Sequence, residues 1–282
     1  MARESDESRD GFVGLSRMIG ADPLSLVVTA YLVMSMVMVG LWALQLTLPN
    51  ASIADVGFCG GLIATVLWYA TQASGETERK LILSFMVCVY AGRLGLYILF
   101  DRVLGKSEDA RYREVRRRWG NQERVKMFGY FHLQALAVSV LSLPFLVAMQ
   151  NPRPPFGLWE LWGFLLWMVA VIGEAAADWQ LARFRAQPWN RERVCRTGLW
   201  RYSRHPNYFF ELLHWCALVI ISIGAPGWPM TWIGPISMGW ALLKVTGIPL
   251  VEERAVKSRG EEYRDYQRTT NKLIPWWPSS SQ

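Results

Sequence analysis

Long apolar stretches alternate with short polar ones along almost the whole chain. Runs at 24–47, 53–71, 81–103, 127–149, 157–180, 208–224 and 231–249 are dominated by aliphatic and aromatic residues. A helix crosses a hydrocarbon core of about 30 Å in about 20 residues. The pattern therefore predicts an all-α integral membrane protein, a bundle of about seven transmembrane helices. The sixth run is the shortest and carries polar side chains near its start, which predicts a tilted or partly interfacial segment. Strand-type alternation is nowhere strong, and no repeat, Gly-Ser linker or composition break divides the chain. The expected organisation is a polar N-terminal tail over 1–22 and a single membrane-embedded domain over 23–282.

Composition sharpens this picture. Of 282 residues, 52% are hydrophobic and only 19% charged, against about 25% charged in an ordinary soluble protein. The 15 tryptophans suit membrane interfaces, where amphipathic rings settle. A net charge of +7 raises the question of nucleic acid, but the basic residues are confined to particular loops. Nine Lys and Arg fall in 101–126, seven in 183–207 and six after Pro249, while 49–52 and 223–230 hold none. With seven spans the three basic segments share one side, and the positive-inside rule makes that side cytoplasmic. The N-terminus is then outside and the C-terminus cytoplasmic. That distribution speaks for orientation in a bilayer, the bacterial inner membrane or the endoplasmic reticulum, and for membrane lipids rather than nucleic acid as partners. The opening "MARESDESRDGFVGLSRMIGAD" lacks the basic-then-apolar order of a cleavable signal peptide. Four cysteines without CxxC spacing and three scattered histidines make small buried hydrophobes the better reading and leave no expected metal site.

Ionisable groups at membrane depth are costly and point to function by default. Asp178 and Arg185 lie seven residues apart at the end of the fifth run, two turns along one helix face. A helix end with snorkelling arginines is the plain alternative. In "GLWRYSRHPNYFFELLHW", Pro206 suits the first turn of a helix, and Asn207, Glu211, His214 and Trp215 recur at helical spacing behind it. Arg196, Arg201 and Arg204 supply positive charge at the mouth. Ordinary anchoring explains the arginines but not the Asn, Glu and His. A phosphorylated nucleotide held from the cytoplasmic side explains all of them, because arginine forks and a helix N-terminus both suit phosphate. Tyr90, Arg93 and Tyr97 form a second polar stripe, in the third run. Arg93 needs a partner, and a structural ion pair with Asp55 competes with a catalytic reading. Asp55 itself is either a helix cap or a proton donor. The segment "KSEDARYREVRRRWG" reads as an amphipathic basic helix for lipid headgroups. Glu252 and Glu253 are candidates to meet arginines of the 183–207 connection.

"ADWQLARFRAQP", "GLWRYSRHPNYFFELLHW" and "GIPLVEERAV" with "EEYRDYQRTTNKLIPWWP" together resemble the C-terminal region of the steroid 5α-reductase family, most of all its uncharacterised bacterial branch. The resemblance is strongest over 174–278 and extends more weakly over 52–120, through the Tyr90–Arg93 stretch and "EDARY". It implies an NADPH-dependent membrane oxidoreductase that reduces an activated C=C bond of a lipophilic, steroid- or isoprenoid-like enone entering from the bilayer. It also implies cofactor contacts at Asp178, Arg185, Asn207, Glu211 and Trp215, with Arg204 among the arginines of the mouth. Tyr90 and Arg93 match the family's Tyr and Arg of the third helix, the Tyr near the substrate carbonyl. The family's catalytic acid precedes that Tyr by about the distance that separates Asp55 from Tyr90, 35 positions. Asp55 is thus the implied acid. The family's Gln-Glu pair is absent, and Glu252 and Glu253 stand where its C-terminal histidine is expected. The chemistry suits these residue types: a tyrosine hydroxyl backed by a carboxylic acid can stabilise the developing oxyanion and deliver a proton. RHPxY alone also fits an S-adenosylmethionine-dependent membrane methyltransferase of the isoprenylcysteine type, the alternative activity. A lipid-binding scaffold is the non-enzymatic one.

Overall fold

The computed structural model describes residues 22–48, 50–108, 110–190, 192–245 and 247–279; the expected tail over 1–21 lies outside them. Every regular element among these residues is helical. The helices are α1 (Pro23–Thr47), α2 (Ile53–Gln72), α3 (Thr77–Ile98, continuing as a π turn over Leu99–Val103), α4 (Ala110–Trp119), α5 (Glu123–Met149), α6 (Leu158–Ala186), α7 (Pro206–Ser222), α8 (Ile233–Trp240, widening over Ala241–Val245) and α9 (Ile248–Thr269).

Six helical stretches among the described residues are long and apolar enough to cross a membrane. The chain is an all-α, multi-pass integral membrane protein. The sixth apolar run is not among the six: α7 has only 17 residues, about 26 Å of rise. The seventh run is not one straight helix either, since α8 widens at Ala241 and α9 restarts at Ile248. Lipid explains why so many large apolar side chains face outward. Leu24, Leu32 and Met36 of α1 are more than half exposed, while Leu26, Ala30, Met34 and Met38 at four-residue spacing are buried.

The described residues fall into two compact units, one reaching to Phe156 with Gly224–Met230 added, the other Gly157–Ile223 with Thr231 onward. In the first, α5 packs against α1 and α2, and α2 against α3. Its core joins Met34, Met38, Ala54, Tyr112, Met127, Phe131 and Val138. Polar groups tie both ends of this bundle. At one end the buried Arg79 donates to the carbonyls of Asn151 (2.6 Å) and Arg153 (2.8 Å). At the other, Asn50 Nδ2 donates to the Arg102 carbonyl (2.7 Å) and Glu108 accepts the Ala51 N–H (2.9 Å). The 49–52 turn and the basic 101–126 segment thus share an end, as alternating spans require.

In the second unit α6 and α7 pack along most of their length. Small residues permit the close approach that membrane helices favour: a Cβ on Gly163 would sit 2.4 Å from Ile221 Cγ1 and 2.9 Å from the Ala217 carbonyl oxygen. The last helix, α9, doubles back at Gly260, whose φ of 54° and ψ of −127° suit glycine alone without strain. Glu252 and Gln267, about 22 Å apart on a straight helix, consequently meet at 2.9 Å.

Candidate functional site

The second unit gathers Asp178, Arg185, Arg204, Asn207, Glu211 and Trp215, the six implied coenzyme contacts, and the first holds the implied catalytic residues Asp55, Tyr90 and Arg93. Pro206 opens α7 at its first position, where its missing N–H is no loss. The loop before it reaches α6 through Gly198, whose φ is 57°. A Cβ there would lie 2.4 Å from Gln180 Oε1, the oxygen that accepts the Leu199 N–H at 2.9 Å. From this start Asn207, Glu211 and Trp215 follow at four-residue steps along one face of α7. Asn207 Nδ2 donates to Asp178 Oδ1 at 3.2 Å, joining α7 to α6. One turn deeper, the buried Trp215 donates from Nε1 to Glu211 Oε1 at 2.9 Å. Asn207 Oδ1 is buried and accepts no hydrogen bond among the described residues. Arg185 lies exposed near the end of α6. Arg183 is also exposed, its guanidinium 5.3 Å over the Trp179 ring, as expected of a snorkelling arginine.

Arg204 sits differently from these exposed arginines. Its side chain is only 8% exposed and its Nε donates to Glu252 Oε1 at 2.7 Å. Its Nη1 reaches the carbonyls of Gln267 (2.9 Å) and Thr270 (2.6 Å), orphan acceptors at the end of α9. Glu252 also receives Gln267 Nε2 (2.9 Å) and faces His205 Nε2 at 3.1 Å. Burial pushes the His205 imidazole below its ordinary pKa, against the opposing pull of Glu252. A neutral ring whose Nε2–H donates to the carboxylate satisfies both. Glu252 therefore meets an arginine of the 183–207 connection, whereas Glu253 points outward to Lys257 (2.6 Å). The chain after α9 lies along this clasp: Ser203 Oγ donates to the Leu273 carbonyl (2.7 Å), and the Trp276 N–H to that of Tyr202 (2.9 Å).

The first unit holds the other three residues. Tyr90 is 1% exposed, and Arg93, one turn on, is half-buried. Tyr97, placed by spacing on the same inward stripe, is instead 38% exposed in the last turn of α3. Asp55 lies in the first turn of α2. Its Oδ1 accepts Tyr112 OH at 2.8 Å and Gln134 Nε2 at 3.2 Å, with Tyr130 OH at 3.4 Å. Tyr112 and Tyr130 are themselves 2.8 Å apart. These three neighbours were not singled out from the sequence. Tyr112 belongs to the "EDARY" stretch, but 57 residues separate it from Asp55, and only the folding back of α4 joins them.

Among the described residues no group of His, Cys, Asp and Glu could hold a metal ion. Residues 41–270 match the family described as Protein of unknown function (DUF1295). The chain is also similar to 3-oxo-5-alpha-steroid 4-dehydrogenase 1 of Mus musculus, 27% identical over 41% of this chain and 42% of that protein. Its counterpart in Rattus norvegicus is 26% identical over 41% of each chain. An uncharacterized protein of Schizosaccharomyces pombe is 25% identical over 74% of this chain and 67% of its own length. The chain spans about two fifths of the two mammalian relatives in these matches. No solved structure matches it significantly.

Proposed function

We propose that this chain, which belongs to the DUF1295 family, is a membrane oxidoreductase that uses NADPH to reduce an activated C=C bond of a lipophilic enone. Similarity to the two mammalian 3-oxo-5-alpha-steroid 4-dehydrogenases supports the reading. The observation that carries it is the Asn207 amide, held by Asp178 through Nδ2 while its buried Oδ1 takes no donor among the described residues. A nicotinamide carboxamide or a ribose hydroxyl would satisfy that oxygen. Asp178, Asn207, Glu211 and Trp215 would hold the coenzyme, and the exposed Arg185 and Arg201 would meet its phosphates. Arg204, engaged by Glu252 and the end of α9, keeps the mouth in shape. NADPH, when bound, supplies the hydride.

The remaining work falls to the first unit. Tyr90 donates a hydrogen bond to the substrate carbonyl and stabilises the negative charge that develops there. Asp55 delivers the proton: its O–H bond breaks, a C–H bond forms on the substrate, and the electron pair stays on the carboxylate. The coenzyme enters from the cytoplasmic side, where the basic segments lie under the positive-inside rule. The N-terminus is outside.

Titration of detergent-purified protein with NADPH and with S-adenosylmethionine, read by native mass spectrometry, tests the cofactor. Saturable NADPH binding supports the reductase. Binding of S-adenosylmethionine alone would replace it with methyl transfer. Deuterium carried from labelled nicotinamide into a 3-oxo-4-ene steroid tests the reaction. A product without deuterium rules hydride transfer out.

A further inference from the structure

The basic helix α4 has a second face that lipid headgroups do not explain. Arg113, Arg117 and Arg118 are exposed, as a headgroup-facing surface requires. Tyr112, on the same helix, is 6% exposed and packs within the core of the first unit. One turn further on, Arg116 forms an ion pair with Glu108 at 3.0 Å and another with Glu123. It also reaches the buried Gln45 of α1 at 2.5 Å. Glu108 in turn accepts the Ala51 N–H just ahead of α2. The latch at Arg116 therefore fixes α4 across the beginning of α2, and Asp55 stands one turn into α2.

The hydrogen bonds at Asp55 have a direction. Gln134 Nε2 can only donate, and it donates to Oδ1 and to Tyr130 OH. Tyr112 OH donates to the same Oδ1 at 2.8 Å. Oδ1 is thus the accepting oxygen, and a proton carried by this carboxyl belongs to Oδ2. The pattern marks Oδ1 as the oxygen that the Tyr112 hydroxyl and the Gln134 amide hold.

We propose that Tyr112 is a positioning residue, which orients the Asp55 carboxyl for proton delivery, and that the Glu108–Arg116 latch sets Tyr112. The proposal rests on the reading of Asp55 as the acid. It makes α4 part of the catalytic apparatus as well as a surface helix. Tyr112 does not touch substrate; it acts through Asp55.

Infrared spectroscopy of the full chain in lipid tests this without any ligand. The Asp55 carboxyl band is the one lost in Asp55→Asn. In Tyr112→Phe, which keeps the packed ring, the carbonyl stretch of Asp55 moves to higher wavenumber as a donor to Oδ1 is lost. The triple variant Glu108→Gln, Arg116→Met and Glu123→Gln, which removes both ion pairs of Arg116 without stranding a charge, moves it the same way and serves if Tyr112→Phe does not accumulate. Turnover of a 3-oxo-4-ene steroid by Tyr112→Phe falls about tenfold in kcat, with KM for NADPH unchanged. An Asp55 band unmoved in both variants overturns the proposal and leaves the reductase reading intact. Full activity in Asp55→Asn instead removes Asp55 as the acid, whatever the infrared band does.

Discussion

Two part-buried polar clusters, one in each unit, surround an acidic side chain with different partners. Around Glu252 the partners are Arg204, His205 and Gln267, and Arg204 passes on to the carbonyls that end α9. Around Asp55 they include two tyrosine hydroxyls and an amide. A carboxylate clamped by a guanidinium is committed to holding the chain together. Tyrosine hydroxyls and an amide, by contrast, orient the Asp55 carboxyl through Oδ1. Both acids are partly buried, and the donors named here differ between the two places.

The largest expected effect tests the clamp. Arg204→Ala leaves Glu252 buried against a lost charge and should destabilise the protein by about 3–5 kcal/mol, read as a lower melting temperature in detergent. A melt unchanged from wild type would put Arg204 in the same class as the exposed arginines. Next comes the chemistry: Tyr90→Phe should lower kcat by about 10² to 10³ while coenzyme affinity holds. Equal loss of both would make Tyr90 a packing residue. Asn207→Ala should then weaken NADPH binding about tenfold, measured by fluorescence titration, with the melt unaltered.

The comparison also has a pH signature. The native pKa of His205 is depressed by burial, so the unfolded chain binds the proton more readily than the folded one. Stability is fully present above the unfolded value of about 6.5 and is lost as pH falls from there toward the native value. Melting curves between neutral and mildly acidic pH should show this loss, and His205→Gln should flatten it. The smallest effect is at the surface. Glu114 pairs with Arg117 and Arg118 at exposed positions, and Glu114→Gln should leave the melt where it is.

The first five membrane helices were legible because their apolar runs are long and the breaks between them polar. The shared end of the 49–52 turn and the 101–126 segment followed from the alternation of spans, and the meeting of Glu252 with a 183–207 arginine was one of the candidate contacts. Three things were hidden. Arg79 stands beside Lys80 in a break between apolar runs, yet it is 2% exposed and holds the loop after α5; no pattern along the chain shows which carbonyls lack partners. Tyr130 and Gln134 lie 75 and 79 residues from Asp55, so helical spacing cannot place them beside it. The turn of α9 at Gly260 was invisible for a related reason, since one glycine in a helical pattern is usually tolerated.

That reversal at Gly260 bears on how the protein is made. Arg204 leaves the ribosome 48 residues before the carboxylate that neutralises it, and the carbonyls of Gln267 and Thr270 come later still. Over those 48 residues the nascent chain therefore carries an uncompensated cation at the entrance of α7. The stretch that closes the circuit follows the apolar segments in the chain, so truncation before Gln267 should yield a polypeptide that quality-control proteases destroy even with all those segments in the bilayer.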